Sequence, residues 1–292
     1  MKTAVTNQQG LPARLLSVAI AIPLSIVLMS SYPLRIIFGL ILSTLSGLEL
    51  QANFDRYVGS NSCLIQRFIC TFPSSYLLIM TAMYGRWGLT HALFLMPFLI
   101  SCFMIIYNLG DGKLDVTTYH KYMLAVFQCF YIGGTLAHAS LLNDLPYALE
   151  ALWFTIITTC IGEAFGFFGG MMFGRHHITR ISRGKTLEGY LSTIISSIVT
   201  SYIFDTILSS FHPESEFPLH NLQLHLLSIL IAITASIGDL VESLVKRGFN
   251  VKDMGDILPG MGGILDRIDS LLFAFPTTYY YLIISGHITT AC

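Results

Sequence analysis

The chain has 292 residues, of which 53% are apolar and only 11% are Asp, Glu, Lys or Arg, with a formal net charge of −1. Soluble domains carry about 25% charged residues, so a fold covered by water-exposed surface is excluded, and the near-zero charge excludes a basic nucleic-acid face. Together with a mean hydropathy of +0.66, this composition predicts an all-α fold, a polytopic integral membrane helical bundle.

Apolar runs long enough to span a bilayer recur along the whole chain. They predict about nine transmembrane helices, at roughly 15–32, 34–50, 68–84, 89–108, 122–141, 149–173, 189–211, 222–245 and 270–287. The opening MKTAVTNQQGLPARLL shows no cleavage-site pattern, so the run after it reads as a retained helix. One membrane domain covers residues 1–292, with an N-terminal helical part at 1–148 and the chemistry-bearing part at 149–292. The six cysteines show no CxxC spacing and read as packing residues. Asp205, His138, His220 and His225 read as structural or interfacial polar groups.

Two polar patches interrupt the second half. In the first, Gly162, Gly166, Gly170 and Gly174 recur every fourth residue, a small-residue seam suited to close helix packing. Glu163 shares that helix and is ill suited to face lipid. Gly184-Lys185-Thr186 resembles the end of a Walker loop, but Thr179 stands where the first glycine belongs and no strand precedes it, which excludes that motif.

The second patch, Ser243–Asp269, places four basic and four acidic residues around a Gly/Pro-rich turn. Just before and into it, Asp239, Glu242, Ser243 and Lys246 fall at i, i+3, i+4 and i+7, on one helix face. A carboxylate at membrane depth costs about 2.5–3.5 kcal/mol on insertion scales, so these need compensation, either by a structural pair such as Glu242–Lys246 or by a bound cation. Asp266 and Asp269 open the next helix, where Asp266 can also act as a cap. Carboxylates from two neighbouring helices make a hard oxygen set of the kind that holds Mg²⁺ beside substrate phosphates. The turn Pro259–Gly263 can bring backbone N–H groups close to phosphate oxygens. Lys246, Arg247, Lys252 and Arg267 either neutralise phosphate or set topology.

Counted along alternating sides, every Lys and Arg except Arg35 and Arg86 falls on one face, which the positive-inside rule makes cytoplasmic. The loops at 174–188 and 246–269 both open there, so the two patches can meet.

The run Ser243-x-x-Lys246-Arg247-x4-Lys252-Asp253, followed by Pro259-Gly260-x-Gly262-Gly263-x-x-Asp266-Arg267-x-Asp269, resembles the signature of the phosphatidate cytidylyltransferases (CDP-diacylglycerol synthases). The first patch is similar to that family's inner motif, with Ser182-Arg183-Gly184-Lys185-Thr186 in place of a Ser-Pro-Lys-Lys-Thr-like loop. The similarity covers roughly the last 130 residues. It implies the reaction of CTP with phosphatidate to give CDP-diacylglycerol and pyrophosphate, in phospholipid biosynthesis. By the same resemblance Asp239, Lys246, Asp266 and Lys185 are catalytic. Asp239 and Asp266 would hold Mg²⁺, with Glu242 and Asp269 in support and a second cation such as K⁺ alongside. Ser182, Thr186, Ser243, Arg247, Lys252, Gly260, Gly262, Gly263 and Arg267 would line the substrates. A homodimer and a bacterial-type inner membrane, with the site facing the cytoplasm, are also implied.

Three departures stand out: Met261 replaces the family's histidine, Glu163 its aspartate, and Arg183-Gly184 its proline and first lysine. A polyprenol kinase or an isoprenoid-lipid cytidylyltransferase would use CTP similarly. An ion-coupled transporter also carries intramembrane carboxylates, but here charge gathers at one face and no inverted repeat is evident.

Overall fold

The computed structural model describes residues 26–60, 62, 64–109, 116–179, 181–182, 184–211, 217–257 and 262–286. Its elements are α1 (Tyr32–Val58), α2 (Leu64–Leu109), α3 (Val116–Gln128), a π-helical turn (Cys129–Gly134), α4 (Thr135–Asn143), α5 (Ala148–Phe173), α6 (Leu187–Phe211), α7 (Asn221–Gly248) and α8 (Leu265–Ile284). Most of the expected first span at 15–32 lies outside the described residues, as do Arg183, Gly260 and Met261.

The protein is a multi-pass helical membrane protein. Among the described residues six helical stretches are long and apolar enough to cross a bilayer: Tyr32–Val58, Gln66–Cys102, Val116–Asn143, Ala148–Phe173, Leu187–Phe211 and Asn221–Gly248. Large apolar side chains such as Phe94, Phe98, Phe167, Ile195 and Leu222 lie on outer faces, as lipid-facing helices require. The expected span at 270–287 corresponds to α8, whose first turns carry Asp266, Arg267 and Asp269 and which is not among the six.

Chain segments up to Ala137, with Gly248–Ile268, make one compact unit; His138–Arg247 with the residues from Asp269 onward make another. In the first unit, α2 contains a non-helical residue, Gly85, at φ 57° and ψ −136°. The spans expected at 68–84 and 89–108 are its two arms. Eight residues of straight helix rise about 12 Å, yet a Cβ on Gly88 would overlap the Met80 carbonyl oxygen. The arms therefore fold back on each other, and only a residue without a side chain fits where they meet. Polar side chains knit the unit together: Gln51 Nε2 donates to Gln128 Oε1 at 2.9 Å, and Ser43 to Ser74 at 3.2 Å. The span expected as one helix at 122–141 is interrupted by the π-helical turn, where Gly133 packs against Ser74 backbone. Asp55 is 3% exposed and is held by Arg67 at 2.8 Å, by Ser60 and Ser62 at 2.7 Å each, and by Lys121 at 3.7 Å.

In the second unit α5 packs on α6 through the glycine seam: Gly162 and Gly166 face Thr193, and Gly170 faces Thr186 and Gly189. The Thr155 and Thr278 hydroxyls, 2.8 Å apart, tie α5 to α8, and Thr277 to Thr234 at 2.9 Å ties α8 to α7. Gly238 of α7 lies against the backbone of Asp269 and Ser270, which brings the two acidic helices into close register.

Gly88→Ala is expected to destabilise the protein by about 1–3 kcal/mol through overpacking, whereas Gly39→Ala, whose Cβ would meet Leu78 at an ordinary 3.4 Å, is expected to be near neutral. Paired thermal melts in detergent check this contrast.

Candidate active site

The loop between α7 and α8 is shaped by side chains from α8 and from α1. A helix start leaves backbone N–H groups without intrahelical partners and concentrates positive potential there. At α8 these are answered by Glu49 of α1, 5% exposed, whose Oε1 accepts from Ile264 N at 2.9 Å and Oε2 from Leu265 N at 3.0 Å. Gly255 and Gly263 press on the same carboxylate, so closely that a Cβ at either would collide with it. One helical turn along α1, Asn53 donates to the Met254 carbonyl. Asp266 closes the loop from within: its Oδ2 accepts from Met254 N at 2.9 Å and Gly263 N at 2.7 Å. Gly262, at φ 92°, lies in the left-handed region that favours glycine, and a Cβ there would also crowd Asp266. Lys252 and Arg267 are exposed on this loop and the first turn of α8.

Within the second unit, Asp239 and Glu242 of α7 and Asp269 of α8 bring carboxylate oxygens within 4.8 Å of one another. Glu242 is fully buried and forms an ion pair with Lys246, one turn along; Asp239 pairs with Lys185 from the 174–186 loop. The Glu242 and Asp269 carboxylates stand close together where α7 meets α8. Two carboxylates so close repel unless a proton or cation sits with them, and oxygen-only donors match a hard divalent ion. The residues present therefore fit Mg²⁺.

The loop bearing Lys185 is held tightly. Ile178 N donates to Lys185 O at 3.2 Å, Lys185 N to Ser182 O at 3.2 Å, and Leu187 N to His176 O at 2.9 Å. Thr186 is the N-cap of α6, its hydroxyl accepting from Gly189 N at 3.2 Å. Glu188 reaches back to Arg175 N at 3.0 Å and His176 Nδ1 at 2.6 Å. Arg247 Nε donates to Ile181 O at 3.5 Å, a second link from α7 to the loop. Burial pushes the Lys185 pKa below its usual value, partly offset by the facing carboxylates of Glu163, Asp269 and Glu242. Together Glu163, Gly184, Lys185, Thr186, Asp239 and Ser270 line a cleft of about 100 Å³ among α5, α6, α7 and α8.

The model of the Cytidylyltransferase family matches residues 12–285. The chain belongs to this family. It is 31% identical over 167 residues to a phosphatidate cytidylyltransferase of Bacillus subtilis, covering 56% of this chain and 60% of that one. It is 39% identical over 126 residues to a phosphatidate cytidylyltransferase of Helicobacter pylori, covering 43% and 44%. The uncharacterized protein YnbB of Escherichia coli is 37% identical over 153 residues, covering 50% and 49%. The chain spans about half the length of the relatives it matches.

Of the expected site residues of this cytidylyltransferase-family chain, the structure gathers Lys185, Asp239, Glu242, Lys246 and Asp269 in one cluster. Ser243 is buried next to Glu242 on α7. Asp269, expected in support, stands beside Asp239 and Glu242, while Asp266, expected as a principal ion ligand, has Oδ2 engaged by loop amides. The reason is local: Asp266 sits in the first turn, where unpaired N–H groups compete for its oxygens, and Asp269 lies one turn deeper. Thr186 serves first as a helix cap and second as cleft wall. Ser182 contributes its carbonyl to the loop. Glu49 and Asn53 were missed by the sequence reading. The signal for Glu49 was a carboxylate just inside an apolar span, which in a membrane protein asks for a named partner.

Glu49→Ala would leave two buried N–H groups without acceptors, an expected loss of about 3 kcal/mol. Hydrogen exchange should then quicken at Ile264 and Leu265, read by mass spectrometry alongside a detergent melt.

Proposed function

We propose that this chain is a CTP-dependent phosphatidate cytidylyltransferase that makes CDP-diacylglycerol and pyrophosphate, with its chemistry in residues 149–292 and its site open to the cytoplasm of a bacterial-type inner membrane. The observation that carries this reading is the convergence of Asp239, Glu242 and Asp269 with Lys185 and Lys246 in one cluster, in a chain of this family.

In the reaction, a lipid phosphate oxygen forms a bond to the α-phosphorus of CTP, and the bond from that phosphorus to the β-phosphate bridge breaks, its electron pair leaving with pyrophosphate. A phosphate monoester is largely dianionic at neutral pH, so the nucleophile needs neither a Ser–His pair nor a covalent intermediate. What the protein supplies is position and charge. Asp239, Glu242 and Asp269 would hold Mg²⁺. The chemistry such an ion supplies is neutralisation of charge on the phosphates as they exchange partners. Lys185 and Lys246, already facing those carboxylates, steady the phosphates at the same place. Arg247, which also reaches the Lys185 loop, receives the triphosphate. Asp266 keeps the 262–263 turn in shape from inside.

CTP carrying label on its α-phosphate should transfer label to phosphatidate in a Mg²⁺-dependent way; label moving from the γ-phosphate instead would mark a lipid kinase. Asp239→Asn should lower turnover about 1000-fold or more while Met254 and Gly263 stay protected from hydrogen exchange. Asp266→Asn should lower turnover and loosen those two amides together. Full activity in Asp239→Asn would overturn the ion assignment.

A further inference from the structure

Hydroxyl groups in the helices of this protein have a common habit. Thr155 donates to Ala151 O, Thr159 to Thr155 O, Thr193 to Gly189 O and Ser236 to Ala232 O. Each thereby satisfies its O–H on the preceding turn, as buried helix hydroxyls usually do. Thr158 in α5 and Ser270 in α8 break that habit. They are 1% and 2% exposed, and neither Oγ has a hydrogen-bond partner. The Tyr190 hydroxyl of α6 is likewise sealed and without a partner.

All three residues line the same cleft as Lys185 and Asp239. A buried hydroxyl without a partner is unfavourable in the empty protein, and three on three different helices around one cavity ask for a ligand that brings acceptors. Location narrows the choice. Thr158 lies five residues before Glu163 on α5, about 7–8 Å further from the charged rim, and shares the cleft lining with Gly162, Ala232 and Ala235. Neutral O–H donors in small, apolar surroundings suit oxygens of low charge; a triphosphate would call for cations there. The cleft's volume of about 100 Å³ leaves room there for one glyceryl-ester or phosphoryl fragment.

We propose that the hydroxyls of Thr158, Tyr190 and Ser270 form a subsite that holds acceptor oxygens of the lipid substrate's headgroup region, either its ester carbonyls or its phosphate. This rests on the function proposed above. These residues would then select lipids by the oxygens they carry, because a site built to hydrogen-bond a group strongly disfavours analogues that lack it.

The test is equilibrium binding of fluorescent dioleoyl phosphatidate, and of its diether analogue, to the purified full chain in detergent. Thr158→Val, Tyr190→Phe, Ser270→Ala and the triple variant are compared with the parent. Each single change is expected to weaken phosphatidate binding about 3- to 10-fold and the triple about 100-fold. The CTP KM should not move, and the substrate-free melting temperature should hold or rise, since an unsatisfied buried hydroxyl has gone. Weak diether binding by the parent assigns the subsite to the ester carbonyls, and equal losses for diester and diether assign it to the phosphate; both support it. Unchanged phosphatidate binding in the triple variant overturns it, as does a loss confined to CTP or a fall in melting temperature that tracks the loss of binding. If hydroxyl-dependent binding is found but no label passes from CTP to lipid, the subsite stands and the proposed reaction falls. Transfer with indifferent variants sinks the subsite alone.

Discussion

A carboxylate buried among apolar helices must be met by a donor or a cation, and this requirement organises the molecule. Glu49 meets it with two backbone N–H groups at a helix start. Asp55 meets it with Arg67, Lys121 and two serine hydroxyls. Glu242 and Asp239 meet it with Lys246 and Lys185. Lipid tails are as apolar as leucine, so apolar contact alone discriminates poorly between helix arrangements in a bilayer. Directional polar pairs of this kind set which helix faces which.

The α8 helix gathers three of these demands within five residues. Leu265 takes the Glu49 carboxylate, Asp266 draws in the ends of the glycine loop, and Asp269 joins Asp239 and Glu242. A single helix start thus serves the loop and the carboxylate cluster together. Its first turn has unpaired N–H groups to satisfy, and its second turn is where a side chain can face α7, because Gly238 lets the two backbones approach.

Cytidylyl transfer, as proposed for this chain, asks little covalent chemistry of the protein. The residues that would matter are those that hold charge in place, and they are fastened accordingly: the Lys185 loop by a ladder of backbone bonds and by Glu188, the α6 start by Thr186, and α7 to that loop through Arg247. The cleft behind them has small residues and hydroxyl-bearing side chains among its walls.

Much of this was written in the sequence. Scarce charge and long apolar runs determined a polytopic helical protein, and the spans at 149–173, 189–211 and 222–245 agree closely with α5, α6 and α7, because helix periodicity and bilayer thickness are local constraints. The spacing of Asp239, Glu242 and Lys246 likewise determined a shared face, since three and four residues make one helical turn. Tertiary structure alone decided the rest. The fold-back at Gly85, the capping of α8 by Glu49 from 216 residues away, and the division of labour between Asp266 and Asp269 all depend on which groups become neighbours after packing. A carboxylate's partner in a membrane is whichever donor the fold brings within about 3 Å, and spacing along the chain does not encode that distance.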